Sequence, residues 1–145
     1  AGRDFAICVA TFYDDIAERL VGGAIEGFTW GGVSGASVHT FEVPGAFELP
    51  VAAKWCAESG RFAGIVALGA VIRGETSHYD HVCDEATRGL GEVQLRTGVP
   101  VGYGLITAEN REQADARAGG DKRNQGAAAA TAVLRMAELR SQLGA

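Results

Sequence analysis

The segment that most limits what this chain can fold into is Phe62-Ala63-Gly64-Ile65-Val66-Ala67-Leu68-Gly69-Ala70, which carries no charged or hydroxyl side chain. It is too apolar and too rich in β-branched residues for a surface loop. A strand buried on both faces, as in a parallel sheet, accounts for it. Parallel neighbours need crossover connections, and the rest of the chain alternates strand-like and helix-like patterns. The patterning predicts strands over 5–10, 38–43, 62–68 and 101–107. It predicts helices over 14–27, 47–59, 78–96, 111–118 and 126–143. Asp14 and Asp15 suit the positive start of the first helix, whose Ile16, Leu20, Ala24 and Phe28 share one face. Gly60 stops the second helix. The last helix groups Ala129, Val133, Met136 and Leu143 on one side. Right-handed crossovers then place helices on both faces of a four-stranded parallel sheet, a three-layer α/β/α sandwich.

Composition narrows the function classes. A length of 145 residues fits a single domain over 1–145, with 47% hydrophobic and 21% charged residues in a globular balance. The formal net charge of −5 argues against nucleic acid as a partner. No apolar run is long enough to span a membrane, and no signal-peptide pattern opens the chain. Cys8, Cys56 and Cys83 are odd in number and lack metal spacing. They read as reduced packing residues of a cytoplasmic protein, with a reactive nucleophile as the alternative only for Cys83. The three histidines are scattered and imply no metal.

Ligands of open α/β sheets bind beyond the carboxyl ends of the strands. Residues 11–12, 44–47, 69–76 and 107 all fall there. The stretch Val71-Ile72-Arg73-Gly74-Glu75-Thr76-Ser77-His78-Tyr79-Asp80 leaves the third strand and opens a helix. Free N–H groups at such a start favour an anion, and an imidazole beside them suggests chemistry on a phosphorylated small molecule. Thr76-Ser77 serve equally well as a plain N-cap. A second β-rich run, Phe41-Glu42-Val43-Pro44-Gly45-Ala46-Phe47-Glu48-Leu49-Pro50, also ends in a turn that opens a helix.

These two segments, with Asp115-Ala116-Arg117-Ala118-Gly119 and Asn124-Gln125-Gly126, resemble lumazine synthases in order and spacing. The resemblance runs from about residue 5 to about residue 139 and implies a flavodoxin-like fold. It also implies the condensation of 5-amino-6-(ribitylamino)uracil with 3,4-dihydroxy-2-butanone 4-phosphate to 6,7-dimethyl-8-ribityllumazine, with no metal or organic cofactor. Carried over residue by residue, Phe12 stacks on the pyrimidine. Gly45, Ala46, Phe47 and Glu48 hold the ribityl chain, and Val71 and Ile72 line the heterocycle's pocket. Gly74, Glu75 and Thr76 bind phosphate, joined by Arg117 from an adjacent subunit, and Glu75 must point outward. His78 is the general acid/base, and Tyr103 is contributed by a neighbour. The family assembles as pentamers or multiples of pentamers, with active sites at subunit interfaces.

Ordinary structural roles stand beside several of these. Phe12 reads also as a core residue rimming the sheet, Glu48 as a first-turn acid, and Arg117 as part of a solvated helix face. Arg73 is a phosphate ligand or a structural residue. Asp80 is an orienter of His78 or a surface residue. His39 and His81 are structural or exposed. The chain departs from the family pattern at Thr11 and Tyr13, which flank Phe12. It departs again at Gln125, where lysine is usual and where Lys122 or Arg123 are the basic alternatives. A non-enzymatic flavin- or lumazine-binding protein, or a flavodoxin-like interaction module, are the competing readings.

Overall fold

The computed structural model describes residues 4–119 and 123–145. Its strands are β1 (Asp4–Ala10), β2 (Val38–Val43), β3 (Phe62–Ile72) and β4 (Val101–Ala108). Its helices are α1 (Asp14–Trp30), α2 (Leu49–Glu58), α3 (His78–Thr97), α4 (Arg111–Arg117) and α5 (Gln125–Leu143), with a 3₁₀ turn over Ala46–Glu48 leading into α2. The sheet is parallel throughout, in the order β2-β1-β3-β4.

Alternation along β1 sorts the core into two layers. Phe5, Ile7 and Val9 face α1 and α5, where they meet Ile16, Leu20, Phe28 and Val133. Ala6, Cys8 and Ala10 face α2 and α3, where they meet Leu49, Ala53 and Leu90. Each large side chain removed from water contributes on the order of 1.5–3 kcal/mol. Both layers therefore hold the sheet firmly behind any site at its edge. Among the described residues, no helix is long and apolar enough to cross a membrane.

Three elements differ from the sequence expectation. The third strand extends to Ile72, and its last residues pair with Thr107 and Ala108 of β4. Gly69 looked like a strand end but is a contact point, since a Cβ there would sit 3.0 Å from that of Ala10. The first helix runs past Gly27 to Trp30, because Gly27 lies against Ala127 and Ala130 of α5 rather than at a turn. In α5 the buried stripe is Gly126, Ala129, Ala130 and Val133, continued by Ala137. Met136 therefore turns outward, 49% exposed, and Leu143 is exposed as well. Gly60 ends α2 as expected, with φ +75°.

Candidate functional site

The chain reverses its direction of winding between β1 and β3, and the carboxyl ends of these neighbours open into a cleft of about 710 Å³. Four segments reach it. The first leaves β1 at Thr11, whose N–H and hydroxyl both donate to the carbonyl of Val43, at 3.0 and 3.3 Å. That ties the ends of β1 and β2 together and projects Phe12 into the cleft. Phe12 is 76% exposed and meets only the edge of Tyr13 closely among aromatic rings, with centroids 4.9 Å apart. Its reading as a core residue fails.

The second segment is Gly45-Ala46-Phe47-Glu48. Ala46 is buried and anchors the turn, while Phe47 stands exposed on the cleft wall. One carboxylate oxygen of Glu48 accepts the N–H of Gly45 at 3.0 Å, half of a capping box. The ordinary role of Glu48 in the first helical turn is thus real, and its second oxygen is not engaged by that bond. The turn is closed by the Glu48 N–H, which donates to the Gly45 carbonyl at 3.2 Å.

The third segment is the end of β3, where Val71 and Ile72 line the cleft from successive positions. Beyond them, Gly74 and Thr76 also line it. A Cβ added at Gly74 would meet nothing within 4 Å. Crowding inside the chain does not explain this glycine, which leaves the backbone open to a ligand from outside. The hydroxyl of Thr76 accepts the N–H of His78 at 3.2 Å. Thr76, not Ser77, is therefore the side chain that caps the start of α3. Glu75 is exposed and lies outside the cleft lining, consistent with a carboxylate that has to point away.

Arg73 is committed to a clamp. Its guanidinium donates to Glu109 at 2.8 Å and to Asp80 at 3.3 and 3.5 Å, and it lies 4.3 Å from the Tyr79 ring centroid. The Glu109 bond, then that to Asp80, pushes the Arg73 pKa further above its ordinary value. Of its two sequence readings, the structural one holds: Arg73 fastens the start of α3 and the end of β4 around the Gly74–Thr76 loop. Asp80 is accordingly a partner of Arg73 rather than an orienter of His78. Tyr79 has its hydroxyl pKa raised, chiefly by burial.

The fourth segment is the first turn of α3, which brings His78 to the cleft together with His81. His81 was given no role by sequence reading. The signal was present in its spacing, because i and i+3 share a helix face.

Besides Glu75, two expected residues do not line this cleft. Tyr103 lies on β4 with its hydroxyl 2.9 Å from that of Thr87 on α3, and it is 40% exposed. Arg117 ends α4, where its guanidinium donates to the carbonyl of Gln113 at 3.5 Å. α4 is fixed to α1 by ion pairs of Arg19 with Asp115 and of Arg111 with Asp15, and Arg111 also pairs with Asp115 within α4. Hydrogen bonds from Arg111 to Asp15, and from Arg19 to Asp115, hold both carboxyls below the usual aspartate range. After α4 the chain folds back, and an antiparallel bridge of Ala118 with Asn124 sets the start of α5 beside the end of α4. Gln125 sits at that start and accepts from Arg123 Nε at 3.0 Å, so a basic side chain does stand at the position where the charge is missing. Lys122 lies outside the described residues.

The sequence model of the 6,7-dimethyl-8-ribityllumazine synthase family matches residues 2–141. The chain is 48% identical over 142 residues to the 6,7-dimethyl-8-ribityllumazine synthase of Nitratidesulfovibrio vulgaris strain Miyazaki F, covering 98% of this chain and 91% of the relative. It is 47% identical, with the same coverage, to the enzyme of that name from the Hildenborough strain. For the Desulfovibrio desulfuricans enzyme of that name the identity is 44% over 142 residues, again covering 98% and 91%.

Proposed function

Because the chain belongs to the 6,7-dimethyl-8-ribityllumazine synthase family, whose reaction in riboflavin biosynthesis it performs, we propose that the cleft between the ends of β1 and β3 is where that reaction occurs. The observation that carries this reading is convergence. Phe12, Gly45–Glu48, Val71–Ile72, Gly74, Thr76 and His78 come from four separate segments and line one cleft of about 710 Å³. A flat heterocycle, a polyol and a phosphate each find a surface suited to them.

The pyrimidine of 5-amino-6-(ribitylamino)uracil stacks on Phe12 between Val71 and Ile72. Its ribityl hydroxyls donate to the free oxygen of Glu48 and meet the backbone of Gly45, Ala46 and Phe47. The phosphate of 3,4-dihydroxy-2-butanone 4-phosphate lies against Gly74 and Thr76 at the positive end of α3. The amide of Glu75 faces the phosphate while its carboxylate stays outside. The uracil's amine attacks the ketone carbon, and water leaves to give an imine between the substrates. Phosphate departs by elimination, and the ribitylamino nitrogen closes the second ring with loss of another water. His78 takes the proton from the attacking nitrogen and returns it to the departing oxygen. Orientation supplies most of the acceleration, since amines and ketones condense readily once held together.

Tyr103 and Arg117 complete the site of a neighbouring copy in this reading, because neither reaches the cleft of its own chain. Phe12 and Phe47, 76% and 61% exposed, form the half of the site that the neighbour covers. The assembly is a pentamer or a multiple of pentamers. The chain works as one domain over 1–145, in the cytoplasm.

The deciding experiment follows lumazine formation by absorbance from the two substrates, comparing the parent protein with Arg117→Ala over a range of butanone-phosphate concentrations. A charge-assisted phosphate contact is worth about 1.5–3 kcal/mol, so KM for that substrate should rise about 10- to 100-fold. An unchanged KM would remove Arg117 from the site. Tight binding of ribityl compounds without turnover would make the protein a binder instead.

A further inference from the structure

Cys8 and Cys56, 48 residues apart in sequence, stand with their sulfurs 3.8 Å from one another. Cys8 is on β1 in the middle of the sheet, and Cys56 is near the end of α2, which covers that face. The remaining cysteine, Cys83, is on α3. The two neighbours differ in access: Cys8 is fully buried and Cys56 is half-buried. A small oxidant from solvent therefore meets Cys56 first and has Cys8 directly behind it.

Their acidities differ in the same sense. The hydrogen bond from Cys8 lowers the Cys56 pKa, and the positive charge of Arg61 helps against the opposing effect of burial. The same bond, together with burial, pushes the Cys8 thiol up. Thiolate character and access thus coincide on Cys56, as they do in an oxidation-sensitive cysteine with a resolving partner.

We propose that Cys56 and Cys8 form a modification site for hydroperoxides, in which Cys56 is oxidised first and Cys8 resolves it to a reversible disulfide. The Cys56 thiolate attacks one oxygen of hydrogen peroxide. An S–O bond forms, the O–O bond breaks, and the departing hydroxide takes up a proton as water. The Cys8 sulfur then attacks the sulfenic sulfur, an S–S bond forms and the S–O bond breaks. The Cys8 proton leaves with the hydroxide as a second water. One peroxide is reduced by two electrons, and two thiols become one disulfide. The sulfurs must approach from 3.8 Å to about 2.05 Å, which rotation about the two side chains and a small movement of α2 provide. The bond ties α2, entered through Gly45–Glu48, to β1, which leads into Phe12 two residues past its end. The two walls of the cleft thereby become covalently linked from behind.

The test uses the full chain carrying Cys83→Ala, with the parent protein alongside. Each is treated with a small excess of hydrogen peroxide, quenched, alkylated after denaturation and weighed intact and as peptides. The expected product in both proteins lacks two hydrogens and two alkyl groups and gives a linked Cys8–Cys56 peptide. Dithiothreitol restores both alkylation sites. The oxidised form unfolds several degrees higher than the reduced one, because the bond closes a long loop. In Cys8→Ala, a sulfenic-acid trap such as dimedone labels Cys56. The proposal is overturned if both thiols remain alkylatable after peroxide, or if Cys56 proceeds to sulfinic acid while Cys8 stays free. A bond between two chains, seen as a non-reducing doublet on a gel, would overturn it equally.

Discussion

Clefts of equal size, about 710 Å³ each, lie at opposite ends of the sheet. The one at the carboxyl ends receives the start of α3 and the turn that starts α2, so backbone N–H groups and the positive ends of helices face it. The one at the amino ends is lined by Phe5, Gly31–Ser34, Ala63, Leu134 and Ala137, and by Arg140, Ser141 and Ala145 where α5 ends. The carboxyl ends of α1 and α5 border it, with terminal carbonyls that accept from the N–H groups of Gly31, Gly32, Val33, Gly144 and Ala145. Its cation is already used, because Arg140 Nε donates to the carbonyl of Ala145 at 3.0 Å. Volume therefore does not separate a site for a phosphorylated substrate from a surface hollow. The direction of the parallel chain does, because it sends the starts of the crossover helices α1, α2 and α3 to one end and their finishes to the other.

That contrast can be broken experimentally, and the largest effect is expected at the carboxyl end. His78→Ala should lower kcat about 10²-fold, the low end for a proton-transfer group, while leaving KM for both substrates nearly unchanged. Complete loss of turnover with binding intact would show that proximity is not the main source of rate. Arg117→Ala comes next, with the 10- to 100-fold rise in KM for the butanone phosphate described above.

Smaller is the effect of Arg73→Lys, which keeps the charge but loses the fork that joins Glu109 and Asp80. These partners are exposed, so kcat should fall only about 2- to 5-fold. A drop as large as that of His78→Ala would make Arg73 a direct participant. At the opposite end, Leu134→Ala should leave kcat/KM untouched and lower stability by about 1–2 kcal/mol in urea unfolding, since this half-buried side chain packs against Gly31. A loss of activity there would erase the distinction between the two clefts.

The smallest effect concerns pH. Asp15 and Asp115 have folded pKa values below their unfolded ones. Their contribution to docking α4 on α1 is therefore present above the ordinary aspartate pKa and lost as pH falls through the lowered values. Hydrogen exchange of the α4 amides should accelerate under those acidic conditions while that of β1 does not. Protection of α4 that is indifferent to pH would mean that apolar contacts, Ala114 and Ala118 among them, hold it instead.

Much of the fold is legible in the sequence. Val38–Val43 appears where alternation ended at Pro44, and the starts of α1, α3 and α4 coincide with the sequence expectation, because capping and patterning are local. Phe12, Gly45–Glu48 and His78 were recognisable from motifs, and the parallel topology dictates that they lie at one edge. The misplaced boundaries share a cause. The expected boundaries fall at or beside Gly27 and Gly69, but each is a glycine because another backbone or side chain passes close to it. Local sequence does not distinguish a glycine that turns the chain from one that makes room. His81 and Asp80 are exposed, as one of the sequence readings of each has it, but that His81 lines the cleft and that Asp80 pairs with Arg73 depend on neighbours outside their own helix turn.

What the sequence determined by itself was the strand–helix alternation, the parallel sheet and the edge of it at which the loops gather. These follow from periodicity, capping and chain direction, all written within a few residues of each other. Tertiary structure alone decided that Arg73 is spent on Glu109 and Asp80, that Tyr103 and Arg117 turn from their own cleft, and that Cys8 meets Cys56. Each is a contact between segments distant in sequence, and packing the two layers onto one sheet is what sets the distance between them.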